Sequence, residues 1–394
     1  MAWPWLAARY REGYGERMGR YPVFPPEEGK PLWVHAVSVG EVQAAWPLVR
    51  TARREGWDSP VLLTTITSTG RKMAEDLVGS DADLMAYYPW DAPWVVDRAI
   101  GKVCPAAFVT VETEIWPNFI FNLEERGIPA FIVNGRFSER SFLKAMKSRD
   151  FWREVLSSFR LIMVRGDDDA SRLAELGVDP SRVVTSGDCK VDALLLRREA
   201  SCREKLPRGP VLLAGSTHPG EEREVLEAFR QVRQKFPGAV VIIAPRHPER
   251  ASEVASLARE YGNTGIYTDR GEDRDIMIVD RVGVLFDLYG LADTAFVGGS
   301  LVPRGGQNIL EPAVWGVPFA HGPHMEDFAS HAKALGSLGA SRMVRGSSEL
   351  AREWERMISG GGNPGLAGRK YVESLGGASA LAWNRISDIL KGRE

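Results

Sequence analysis

A rhythm that occurs twice constrains this chain more than any single motif. Short apolar runs at 32–37, 60–66, 84–88, 106–111, 129–133 and 160–164 alternate with stretches whose apolar residues recur at helical spacing, as at Val42, Ala45, Val49 and Ala52. The same grammar returns at 210–214, 239–244, 275–279, 294–297, 317–320 and 341–344. Strands that alternate with helices predict a mainly parallel sheet with helices over its faces. At about 150 residues per domain, a chain of 394 residues has room for two or three. The expectation is an α/β protein of two Rossmann-like domains, over 26–200 and 201–375. The charged stretch "SGDCKVDALLLRREASCREKLPRGP" is the expected linker, and the helical pattern of 376–394 is expected to cross back to the first domain.

Composition narrows the partners. The chain is 44% apolar and 26% charged with a formal net charge of −2, so no basic excess points to nucleic acid, and a small or locally recognised ligand fits better. Cys104, Cys189 and Cys202 are an odd number in no CxxC arrangement, which suits a reduced, cytoplasmic setting. No apolar run of about 18 residues occurs, so the sequence contains no transmembrane helix. Residues 1–25 nevertheless mix Trp3, Trp5, Leu6, Tyr10 and Tyr14 with Arg9, Arg11, Arg17 and Arg20. That mixture suits either a membrane interface or a short helix packed on the domain surface, and Gly13, Gly15 and Gly19 oppose a long amphipathic helix.

Ligands of open α/β sheets bind outside the carboxyl ends of the strands, so the residues just after each strand carry the functional signal. In "LWVHAVSVGEVQAAW" that residue is Glu41, at a strand-to-helix turn. It is either a first-turn acid complementing the helix dipole or a carboxylate of the crevice. Pro47, inside the following helical pattern, implies a kink or a late start. "VTVETEIWPNF" adds Glu112 and Glu114, "IVNGRFSERSF" adds Arg136 and Arg140, and "TTITSTGRKM" adds Ser68 and Thr69. Carboxylates and cations at neighbouring strand ends make an acid/base site with anion-binding walls.

The second half offers a nucleotide site. "VLLAGSTHPGEE" places Gly215 where the backbone can approach a ligand, with Ser216 and Thr217 as anion donors. "VVIIAPRHPER" presents Arg246 and His247, and Arg suits phosphate. "FVGGSLVPRGGQNILEP" supplies a flexible glycine loop including Gly306, then Asn308 and Glu311 at a helix start. Glu311 would repel a phosphate but can accept two ribose hydroxyls. One glycine-rich loop is weak; three at strand ends of one domain favour a nucleotide. Asp167 to Asp169 read as first-turn acids and Asp81 to Asp83 as a loop. His321 and His324 lack a third ligand, so no metal site is expected.

Two doubly wound domains facing across a cleft is the GT-B arrangement of one large class of glycosyltransferases, although fold alone does not license a function. Beyond fold, "HAVSVGEV", "ETEIWPN", "NGRFSERSF", "GSTHPGEE", "APRHPER" and "GGQNILEP" occur in an order that resembles the 3-deoxy-D-manno-octulosonic acid (Kdo) transferases of lipopolysaccharide synthesis, from about Trp5 to the C-terminal helix. The resemblance implies an inverting, metal-independent GT-B enzyme without a cofactor. Its donor would be CMP-Kdo, held by 201–375, and its acceptor a lipid A precursor (lipid IVA), held by 26–200. It matches Glu41 to the catalytic base and Glu112 and Glu114 to a second acidic motif that orients acceptor or base. Gly215, Ser216, Arg246, Asn308 and Glu311 match the CMP side, and Lys190 matches a lysine that meets an anionic group of donor or acceptor. It also implies a peripheral location on the cytoplasmic face of the inner membrane, without nucleic acid as a partner.

Departures from the family pattern lie around Lys190, where Asp188, Cys189, Arg165 and Gly166 replace the usual residues. The N-terminal membrane helix that many members carry is not in this sequence. Other readings make different demands. A GT-B enzyme using a UDP-sugar, or a nucleotide-sugar epimerase, explains the nucleotide site but not the acidic and basic loops of the first half. A non-catalytic lipid A binding protein would have no use for Glu41.

Overall fold

The computed structural model describes residues 12–201, 209–269, 274–360 and 364–392. The chain divides into two compact units, 1–193 with 375–394, and 194–374. The expected linker is largely a helix, Cys189–Ala200, and the division falls inside it.

The first unit holds seven parallel strands: β1 Leu32–His35, β2 Val61–Thr65, β3 Leu84–Tyr87, β4 Ala107–Val111, β5 Ala130–Gly135, β6 Leu161–Val164 and β7 Val183–Thr185. Their order is β3-β2-β1-β4-β5-β6-β7, so it reverses between β1 and β4. The second unit holds β8 Val211–Thr217, β9 Val240–Pro245, β10 Thr264–Ile266, β11 Ile276–Ile278, β12 Thr294–Val297, β13 Phe319–His321 and β14 Ser341–Met343. Their order, β10-β11-β9-β8-β12-β13-β14, reverses between β8 and β12. Both sheets are parallel throughout. A parallel sheet covered on both faces needs strands without alternation, and Leu32–His35, Val61–Thr65 and Ala107–Val111 are buried at every residue.

Trp33 centres one face of the first core, meeting Phe119 at 5.1 Å, Tyr21 at 5.3 Å and Phe108 at 6.1 Å between ring centroids, each edge-on. In the second unit Trp354 lies fully buried among residues such as Phe229 and Phe296, its indole donating to the Ala295 carbonyl at 3.2 Å. Pro47 neither delays nor ends its helix: Val39–Arg54 runs through it. On that helix packs the last one, Ala378–Leu390. Trp383 meets Trp57 edge-on at 5.6 Å. Asp192 accepts from the amides of Gly377 and Ser379, 2.7 Å each, and so supplies from another helix the cap that Gly377 lacks.

One sequence reading changes here. Arg17 is not available to lipid, because it is 4% exposed, its guanidinium lies over the Tyr87 ring and it donates to the Ile66 carbonyl at 2.7 Å. Trp3, Trp5, Leu6, Arg9, Tyr10 and Arg11 lie outside the described residues. Among the described residues no helix is long and apolar enough to cross a membrane.

Trp383 ties the C-terminal helix to the first unit. Trp383→Ala should therefore cost about 3–5 kcal/mol, the range for deleting a buried Trp side chain. Urea unfolding followed by circular dichroism measures that loss.

Candidate functional site

In an open parallel sheet the loops that leave adjacent strands in opposite directions part at the reversal point, and a crevice opens there. In the first unit the loops that flank that point are those after β1 and β4. They carry Glu41 on one side and Glu112 and Glu114 on the other.

Glu41 occupies the third position of the helix Val39–Arg54, whose N-cap is Ser38. Its carboxylate accepts from the Val37 amide at 2.7 Å and from the Ser38 hydroxyl at 3.2 Å, a variant of the Ser-x-x-Glu capping box. The first-turn reading thus holds as local structure. Val37 also joins neighbouring turns: its carbonyl accepts from the amides of Ile66 and Thr67 and from the Thr67 hydroxyl at 3.1 Å. Gly70 sits against this junction, where a Cβ would come within 2.8 Å of the Val37 carbonyl oxygen. Thr67, rather than Ser68 or Thr69, caps the helix Ser68–Leu77; Ser68 and Thr69 lie exposed on its first turn.

Electrostatics separate Glu41 from an ordinary capping acid. Only 8% of it is exposed. Burial lifts its carboxyl from the usual carboxylate range to about 7, and Glu114 and Glu112 push the same way against the hydrogen bonds from Val37 and Ser38. Burial also raises Glu114, with Glu112 adding to it. Glu112 is ion-paired with Lys190 at 2.6 Å, which places the lysine among the acids. Lys190 follows Cys189, whose amide donates to the Asn134 side chain at 2.9 Å, and Asp188 pairs with Arg165 at 2.6 Å. The departures around Lys190 therefore form a coherent loop. Arg136 and Arg140 are exposed and have no ion-pair or hydrogen-bond partner among the described residues.

The second unit repeats the geometry, with the loops after β8 and β12 flanking its reversal. Here several sequence readings need correction. The Thr217 hydroxyl is fully buried and donates to Glu222 at 3.0 Å, and Arg250 donates to the same carboxylate oxygen, so Thr217 offers no side chain to an anion. Gly215 is required by packing: a Cβ would lie 2.2 Å from the Tyr289 hydroxyl. Gly306, at φ +80°, would drive a Cβ to 2.5 Å from the Met325 sulfur. Nor is the glycine loop free at its start. The buried Glu221 accepts from the amides of Gly299, Ser300 and Leu301 at 2.7–2.9 Å and from His218 at 2.9 Å. Those amides are spent on a carboxylate, not left for phosphate.

Ser216, Arg246, His247, Asn308 and Glu311 remain. Arg246 is exposed and its guanidinium has no hydrogen-bond partner among the described residues, and His247 is exposed beside Glu249. Asn308 accepts from the amide of Leu310, the first residue of the helix that carries Glu311, at 3.1 Å. Burial raises the Glu311 carboxyl to about 7, opposed by Arg197, Asn308 and Arg246. Arg197, which sequence reasoning passed over as part of the linker, thus joins the cluster from its place over the Phe286 ring. Glu112, Asn134 and Ser216 have left-handed backbone, at φ 62°, 59° and 55°, unusual for residues other than glycine and costing about 1–3 kcal/mol each. All three stand at strand ends beside these groups. Among the described residues no cluster of His, Cys, Asp or Glu is arranged to hold a metal ion.

Two doubly wound parallel sheets joined by one helix, with acids and cations at their reversal points, place the chain in the GT-B class. A UDP-GlcNAc 2-epimerase from Neisseria meningitidis shares this fold with a TM-score of 0.55 at 14% identity, covering 88% of this chain and 99% of its own. The glycotransferase of kitacinnamycin does so with a TM-score of 0.53 at 15% identity, covering 92% and 98%. Identities this low carry the fold alone. Sequence goes further: the family described as 3-deoxy-D-manno-octulosonic-acid transferase (kdotransferase) matches residues 12–193. The 3-deoxy-D-manno-octulosonic acid transferase of Haemophilus influenzae is 35% identical over 97% of this chain and 92% of its own length. That of Bordetella pertussis is 32% identical over 86% and 83%. The chain belongs to the 3-deoxy-D-manno-octulosonic acid transferase family.

The raised carboxyl of Glu41 has a thermodynamic consequence. A folded-state value above the unfolded one means that the native state holds the proton longer, so stability is lost as pH rises from about 4.5 through about 7. Glu41→Gln keeps an oxygen acceptor and removes the charge. It should melt increasingly above the wild type between pH 5 and pH 8, approaching about 3 kcal/mol at 1.36 kcal/mol per unit. Calorimetry at the two pH values measures the gap.

Proposed function

We propose that this chain moves Kdo from CMP-Kdo to a lipid A precursor such as lipid IVA, inverting the anomeric centre without a metal, at the cytoplasmic face of the inner membrane. The observation that carries the reading is Glu41: a buried carboxylate lifted to about 7, at the reversal point of the first sheet, in a member of this family. A general base works best when its pKa lies near the working pH. In the proposed reaction an acceptor hydroxyl attacks the anomeric carbon of Kdo. Its proton passes to Glu41 as the new C–O bond forms. The bond to the CMP phosphate breaks, and its electron pair leaves with the phosphate oxygen.

Glu112 and Glu114 stand beside the base, and Lys190 pairs with Glu112 and fixes it. On the donor side Ser216, Arg246 and Asn308 serve phosphate and ribose, with Glu311 accepting from ribose hydroxyls. Arg197 and Arg246 hold Glu311 partly charged against its burial. The acceptor's phosphates would face Arg136, Arg140 and the exposed helix start at Ser68 and Thr69.

Incubation with CMP-Kdo and lipid IVA, followed by mass spectrometry, should show the acceptor gaining one or more Kdo units. Glu41→Gln should lower the rate by about a hundredfold or more, as loss of a general base does. Near-normal turnover of that variant removes Glu41 from the mechanism. On the donor side, Glu311→Ala should weaken CMP binding by about tenfold, the order of one or two lost hydrogen bonds. A UDP-sugar that displaces CMP in the same titration speaks for the UDP-sugar reading.

A further inference from the structure

A second apolar feature lies beside the Glu114 loop. Thr113 and Ile115, the neighbours of Glu114, line one wall of a pocket of about 270 Å³ whose other walls are Phe137, Phe142, Ala145, Trp152 and Leu156. Two short helices, Glu139–Ala145 and Arg149–Ser157, frame it. Outside the pocket the same helices and their connection leave Leu143 56% exposed, Phe151 44% and Met146 38%. Single exposed apolar residues are ordinary, but these three fall within the segment, 139–157, that frames the apolar pocket. The same segment is rich in cations. From 136 to 149 the chain places Arg136, Arg140, Lys144, Lys147 and Arg149 against a single acid, Glu139. Lys144 lines the pocket itself, one helical turn after Arg140.

An apolar slot with a cationic rim fits a molecule that carries a hydrocarbon chain on an anionic head. We propose that this pocket is a subsite for one acyl chain of the acceptor, with an anionic group of the headgroup facing Arg140 and Lys144. This rests on the reading of the acceptor as a phosphorylated glycolipid. The subsite begins one residue from Glu114 in sequence, so a chain held there leaves the sugar head beside the acidic loop. It therefore acts on acceptor affinity, and the hydroxyl that attacks and the base that serves it lie outside it.

Ala145→Trp fills the slot. Dodecyl phosphate, below the concentration at which it forms micelles, is a probe that does not depend on transfer. By calorimetry it should bind the wild type and bind Ala145→Trp at least tenfold more weakly, since each methylene withdrawn from water is worth about fourfold in affinity. Butyl phosphate should bind far more weakly than dodecyl phosphate to the wild type. In transfer assays the variant should raise KM for the acylated acceptor at least tenfold and change kcat/KM for its deacylated counterpart by less than about twofold. Unchanged melting temperature and CMP affinity establish that the variant is folded; if it is not, Phe142→Ser, which alters a pocket wall, takes its place, with the same losses expected. Equal binding of dodecyl phosphate by wild type and folded variants, or equal loss on both acceptors, overturns the subsite. Absence of transfer by the wild type to either acceptor, with the binding difference intact, overturns the acceptor assignment and leaves an amphiphile site.

Discussion

A parallel sheet covered on both faces leaves almost no place for a charge except where its strands stop. That constraint organises both halves of this molecule. In the first unit the strand interiors are buried without alternation, and the acids gather beyond the ends of β1 and β4, where the order of strands reverses. Crowded there and shielded from water, Glu41 and Glu114 resist ionisation, burial being the largest cause in each. The chemistry assigned to the site follows from that placement: a carboxylate of ordinary acidity at the surface would be a poor base near neutral pH.

The same turn satisfies a structural demand and a chemical one. Ser38 and Glu41 close the N-terminus of their helix, and Val37 binds the β1 and β2 turns together. A group so held cannot drift from the position at which it must meet a proton. The second unit uses the device differently. Glu221 is surrounded by four amides and serves only to fix the loop after β12, while Glu311, on the helix beyond that loop, keeps a raised carboxyl with two arginines nearby. Glu221 spends its oxygens on fixing a loop, whereas Glu311 accepts from the Asn308 side chain at 3.5 Å.

Much of this was legible in the sequence, for identifiable reasons. Twelve strands announced themselves as short runs in the sequence, most of them because buried parallel strands read as continuous apolar runs; β7 Val183–Thr185 and β10 Thr264–Ile266, three residues each, did not. Glu41 could be found because a strand, a glycine and an acid adjoin within ten residues. Contacts between distant positions left no such trace. Nothing in the sequence pairs Lys190 with Glu112, 78 positions away, or Glu221 with Ser300 and Leu301. Gly215 and Gly306 look alike to a reader expecting ligand loops, but each yields to a neighbouring side chain, Tyr289 or Met325. Arg17 looked like a surface cation for want of knowledge that Tyr87 and the Ile66 carbonyl would enclose it.

The central claim is that Glu41 is the base and that its surroundings hold its pKa near neutrality. The measurement that bears on it most directly is the pH dependence of kcat/KM for Kdo transfer, from pH 5 to pH 9, under saturating CMP-Kdo. A base must be ionised to act, so activity should fall as pH falls, with the acid limb bending near 7, where the structure places this carboxyl. A limb that bends near 4.5, the value of an unperturbed glutamate, or one that survives unchanged in Glu41→Gln, would contradict the account.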